Sequence, residues 1–147
     1  MPSERSARVV FQEKMRFVGS GSGNQTIVID YPPPLGDDTG LRGGLELLLM
    51  ALAACAGQTL VPLLVRMRQT VEGCTVEAVG QRRDEHPTLL TNIHVTFKLR
   101  GNGLDPTAVE RAIDLAETKY CPVWAMLRDS TRITRSVEIV DSDEAVP

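Results

Sequence analysis

The spacing of hydrophobic positions changes along the chain, and each change predicts a new element. Residues 7–18 mix β-branched, aromatic and polar positions, GSGSGN follows, and QTIVIDY at 25–31 repeats the mixture. That order predicts a hairpin turning at the glycines. Pro32, Pro33 and Pro34 end the second strand because proline offers no ladder donor, and residues 35–43 read as a loop. From Gly44 the period lengthens. Leu45, Leu48, Leu49, Leu52, Cys55, Ala56, Leu60, Leu63, Leu64 and Met67 recur at three- and four-residue steps, predicting a long central helix over 44–69, kinked at Pro62.

Period two returns in CTVEAVGQRR (74–83) and LTNIHVTFKLR (90–100), where Ile93, Val95, Phe97 and Leu99 alternate with Asn92, His94, Thr96 and Lys98. A second helix opens at Asp105 and Pro106, which suit its cap and first position, and carries Val109, Ala112, Ile113 and Ala116 as its stripe. A short helix over 122–128 and a strand over 133–140 follow, and DSDEAVP reads as a frayed tail. Consecutive strands joined without helices favour an antiparallel α+β fold over a doubly wound one.

The chain has 147 residues, which predicts one domain over 1–147. A net charge of −3 with no basic run predicts neither a nucleic-acid nor an anionic-membrane partner. The longest apolar stretch, 45–56, is too short to span a bilayer and is broken by Gly57, Gln58 and Thr59, and MPSERSARVV has no apolar signal core, so a cytoplasmic location is expected. Gly19, Gly21 and Gly23 precede a strand and not a helix, so they make a turn and no dinucleotide site.

The three cysteines are too widely spaced for a disulfide framework or a zinc site, and in a reducing compartment such thiols favour redox chemistry. Cys121, immediately before Pro122, falls at the N-cap of a short helix, where backbone N–H groups and the helix dipole are expected to lower its pKa. Cys55 lies among Ala and Leu in mid-helix, and by itself reads as packing. Cys74 reads as structural. His86 and His94 suggest no metal site, Trp124 and Met126 are expected to line the core or a pocket wall, and no Ser-His-Asp arrangement supports a hydrolase.

LELLLMALAACAGQTL followed by KYCPVWAML, with a hairpin before and two strands and a helix between, resembles the OsmC/Ohr family. The resemblance implies antiparallel sheets around long central helices in an intertwined homodimer, and a cofactor-free thiol peroxidase. Carried over, Cys55 attacks an organic hydroperoxide and becomes a sulfenic acid, Cys121 resolves it as a disulfide, and an external dithiol recycles the pair. The family also activates its first cysteine with an arginine from the first turn and a glutamate early in the helix. GSGSGN has no arginine, and the glutamate's place is Leu45; Glu46, one residue on, points about 100° away on the helix. Glu46, with Arg16 or Arg42 as the cation, is the nearest substitute. The alternative is a noncatalytic dimer of the same type that binds a small apolar ligand or senses oxidant.

Overall fold

The computed structural model describes residues 3–142. The expected tail from 143 onward lies outside the described residues, while Asp141 closes the last strand. The chain divides into two compact units, one ending at Leu48 and the other beginning at Leu49.

The first unit is a three-stranded antiparallel meander, β1 (Arg8–Glu13), β2 (Arg16–Ser20) and β3 (Thr26–Ile29). The predicted single strand over 7–18 is therefore itself a hairpin. Its turn is built on Lys14, whose φ of 48° lies in the left-handed region, and glycine is absent there. Gly19 and Ser20 of GSGSGN end β2, and the rest of that segment makes the second turn of the meander, before β3. Phe11 and Phe17 are paired across β1 and β2 and meet edge to face at 5.4 Å. Beyond β3 the loop folds back. Asp30, 1% exposed, anchors it by accepting the N–H groups of Asp37 and Thr39 and the Thr39 hydroxyl.

Helix α1 (Gly44–Arg66) crosses from the first unit to the second. It passes through Gly57 to Thr59 without a break, as the predicted helix over 44–69 requires. At 23 residues it is long and apolar enough, by length and composition, to cross a membrane. Pro62 is accommodated because the carbonyl it leaves unbonded belongs to Gln58, and both residues are exposed to water. The helix ends with Arg68 at φ 61° and the Gln69 N–H returning to the Leu64 carbonyl, a left-handed C-terminal cap made without glycine.

In the second unit, β4 (Thr70–Arg82), β5 (Leu90–Asn102) and β6 (Arg132–Asp141) form a sheet in the order β4-β5-β6. β4 and β5 are antiparallel. β5 and β6 are parallel, because α2 (Pro106–Leu115), a π-helical turn (Ala116–Tyr120) and α3 (Pro122–Leu127) return the chain between them. The alternation read in β5 sends Ile93, Val95, Phe97 and Leu99 into the core. They are buried together with Leu52, Ala56, Leu60, Leu63 and Leu64 of α1, Val109, Ala112 and Ile113 of α2, and Trp124 of α3. Gly57 allows α1 to lie close to β4, since a Cβ there would stand 3.2 Å from Val76.

Candidate thiol site

Cys121 owes its position to two local rules. Pro122 disfavours helical backbone in the residue before it, and Cys121 accordingly takes φ −80°, ψ 107°. Proline also suits the first helical position, so α3 begins directly after the cysteine. As the N-cap, Cys121 accepts the Trp124 N–H on its Sγ at 3.5 Å, and its carbonyl takes the Ala125 N–H at 3.1 Å. Trp124 stacks against Phe97, with ring centroids 6.5 Å apart and planes within 8°. That stack pins α3 to β5.

Cys55 sits half-buried in mid-α1, and its carbonyl accepts the Thr59 hydroxyl at 2.8 Å. Its thiol neighbours Cys121, close enough to act on it by hydrogen bonding and by charge. Both are free thiols. The fold thus brings together two cysteines far apart in sequence, both within the second unit.

Burial pushes the Cys121 thiol up from its ordinary 9.0 to about 11, and the neighbouring Cys55 adds to the rise. The N–H groups of Trp124 and Val123 oppose it but are outweighed. The sequence argument for a lowered pKa at Cys121 is therefore corrected. The cap exists, but Cys121 is only 2% exposed, and desolvation of the thiolate exceeds what the helix terminus returns.

The other candidates have local partners. Arg16 donates to Gln12 through Nε at 3.0 Å and pairs with Glu13 through Nη2 at 2.5 Å. Glu46 accepts the Arg42 backbone N–H at 3.0 Å, as a first-turn acid securing the start of a helix. The Arg42 guanidinium is held in two hydrogen bonds by Asp38. These residues belong to the first unit, and the thiols to the second.

Trp124 is a core residue, whereas Met126, expected in the core or a pocket wall, is 77% exposed. Only α3 positions facing β5 are covered. Cys74 is half-buried, burial raises its pKa, and it lines an open apolar groove of about 730 Å³ between α1 and β4, with Met50, Ala54, Val61, Pro62 and Val76. His94 is held on the outer face of the sheet by the hydroxyls of Thr134 and Ser136 at 2.7 and 2.9 Å.

Sequence reasoning missed Arg135. It falls in β6 on the same face as Ile133 and Val137, opposite Val95, and pairs with Glu110 and Glu117. A charged residue interrupting an inward-facing apolar alternation is the signal that marks it.

A family model described as OsmC-like protein matches residues 37–136. Protein YhfA of Escherichia coli K12 is 37% identical over 134 residues, covering 91% of this chain and 97% of that protein. A hypothetical protein from Aquifex aeolicus superposes with a TM-score of 0.84 at 25% identity, over 97% of this chain and all of the other. The organic hydroperoxide resistance protein OhrB of Bacillus subtilis superposes with a TM-score of 0.65 at 15% identity, over 92% and 98% of the two chains, and so shares the fold.

Proposed function

Because the chain belongs to the OsmC-like family, we propose that it is a thiol-dependent peroxidase that reduces organic hydroperoxides through Cys55 and Cys121. The observation that carries this reading is the meeting of the two thiols. The substrate class comes from OhrB, whose fold the chain shares.

In this mechanism the Cys55 thiolate attacks the terminal peroxide oxygen, the O–O bond breaks, and the hydroperoxide leaves as an alcohol after taking a proton. Cys55 is then a sulfenic acid. Cys121 bonds to that sulfur, the hydroxyl departs as water, and an external dithiol reduces the disulfide. The high pKa suits Cys121 to the second role, because a protonated buried thiol is a poor nucleophile toward oxidant in solution. The chain works as a homodimer, and the apolar groove beside α1 is the face a second copy would cover.

The test mixes reduced protein with an alkyl hydroperoxide and counts thiols. Wild type loses two per peroxide, Cys55→Ser consumes none, and Cys121→Ser stops at a sulfenic acid that a 1,3-dione traps. Unchanged peroxide consumption by Cys55→Ser would refute the assignment.

A second reading draws on the local engagement of Arg16, Arg42 and Glu46. With those groups occupied, Cys55 lacks its activating pair, and the dimer binds a small apolar ligand or forms its disulfide stoichiometrically as an oxidant sensor. Rapid multiple turnovers with peroxide and dithiol exclude that reading.

A further inference from the structure

An irregular piece of backbone delivers Cys121. Helix α2 runs without a break into the π turn, where the Cys121 N–H bonds the Ala116 carbonyl at 2.9 Å. Such a turn holds one residue more than the α-helical turn it replaces, and π-bulges occur frequently at functional sites. At about 100° per residue, the extra residue changes the direction in which the following side chain leaves the helix. The facing of Cys121 thus depends on the π turn staying wound.

Two arginines fasten that turn at one residue. The Glu117 carboxylate accepts Arg135 Nε at 2.6 Å, and the Glu117 carbonyl accepts Arg128 Nη2 at 3.1 Å. Arg135 also meets Glu110 at 2.9 Å and Asp114 at 3.9 Å, both on α2. Its side chain is 20% exposed, on the packed face of β6, and a cation so placed is tolerated only with carboxylates around it. The contacts tie β6 to the segment that ends in Cys121.

We propose that Arg135, assisted by Arg128, is a positioning residue for Cys121. By holding Glu117 it keeps the π turn wound and the Cys121 sulfur directed at Cys55, and so sets the rate of disulfide closure. The proposal deepens the peroxidase reading and rests on it. In the closing step the sulfur–sulfur bond forms, the S–O bond of the Cys55 sulfenic acid breaks, and the hydroxyl leaves as water with the Cys121 proton. The oxidising equivalents come from the hydroperoxide already reduced to alcohol.

The test uses the full chain, reduced, in a Cys74→Ala background, with an aromatic disulfide that releases a coloured thiolate. Attack by Cys55 releases one equivalent and leaves a mixed disulfide; attack by Cys121 on that disulfide releases the second. Arg135→Gln is expected to leave the first release within about twofold and to slow the second by about tenfold or more, as misplacement of a reacting group does. Glu117→Gln gives the same split, and Glu117→Gln added to Arg135→Gln slows the second release no further, since the Arg135–Glu117 contact is already lost. Arg135→Lys keeps the charge without the planar fork and recovers part of the rate. Arg128→Gln alters only the exposed carbonyl contact, so it tests the same fastening, with a smaller slowing, in the event that Arg135→Gln does not fold. Wild-type second release in the folded variants overturns the proposal, as does equal slowing of both releases. Failure of the peroxidase reading is seen separately: wild-type Cys55 resists an alkyl hydroperoxide while the second release still depends on Arg135.

Discussion

The raised pKa of Cys121 predicts how slowly this thiol reacts and how that slowness depends on pH. Alkylation requires the thiolate. At pH 7.5, moving a thiol from 9.0 to about 11 lowers its thiolate fraction roughly a hundredfold, from about 3% to about 0.03%, because each pKa unit is a factor of ten. Reduced protein treated with iodoacetamide, quenched at intervals and mapped by peptide mass spectrometry should therefore show Cys121 modified at least a hundredfold more slowly than the same peptide unfolded. The rate constant should rise tenfold per pH unit and level only near pH 11. Restricted access alone would lower the rate without moving the midpoint, so the two causes separate in the pH profile. A plateau at or below pH 9, or labelling as fast as the unfolded peptide, would refute the argument that burial outweighs the helix terminus.

The same shift links to stability. The folded state retains the Cys121 proton between 9.0 and about 11 while the unfolded chain loses it, so the contribution is present below 9.0 and declines as pH rises through that window. At pH 10 the loss amounts to about 1.4 kcal/mol relative to a Cys121→Ser protein, whose hydroxyl keeps the N-cap. Urea titrations of both proteins at pH 8 and pH 10 measure the difference.

Further substitutions test the packing of each unit. Trp124→Ala removes the ring stacked on Phe97 and should cost about 3–5 kcal/mol, read as a lowered urea midpoint. Loss below about 1 kcal/mol would mean that α3 is held by other contacts. In the first unit, Gly40→Ala would place a Cβ 2.2 Å from the Val28 carbonyl and should depress the melting temperature, whereas Gly23→Ala meets nothing within 4 Å and should leave it unchanged.

What could be read beforehand was whatever a local rule writes into consecutive residues. The β5 alternation stated its buried face, Asp105 caps α2 by accepting the Thr107 N–H at 3.0 Å, and the Cys-Pro pair announced an N-cap. The Lys14 turn escaped notice because a non-glycine residue fills a position where glycine usually marks the reversal. The π turn escaped because AETKY has ordinary helical composition; what defines it is the reach of the Cys121 N–H to Ala116, which no composition records. Arg135 escaped because the interruption it makes in RITRSVEIV carries meaning only once the fold turns the face of Ile133 and Val137 inward.

The thiol roles show why a local rule can be right about geometry and wrong about chemistry. A helix terminus adds its dipole and N–H groups wherever the cap forms, and Cys121 receives both. Desolvation, however, depends on how the distant chain packs around the residue, and Cys121 is buried with core residues from elements far apart in sequence. A thiolate at this cap would lose its water on all sides and gain weak amide contacts, so the proton stays. The same burial suits Cys121 to the second role in the proposed mechanism, with a protonated thiol beside Cys55. In the proposed mechanism, attack on a peroxide then falls to the half-buried cysteine on α1, and the difference in burial between the two thiols is what favours that division of labour.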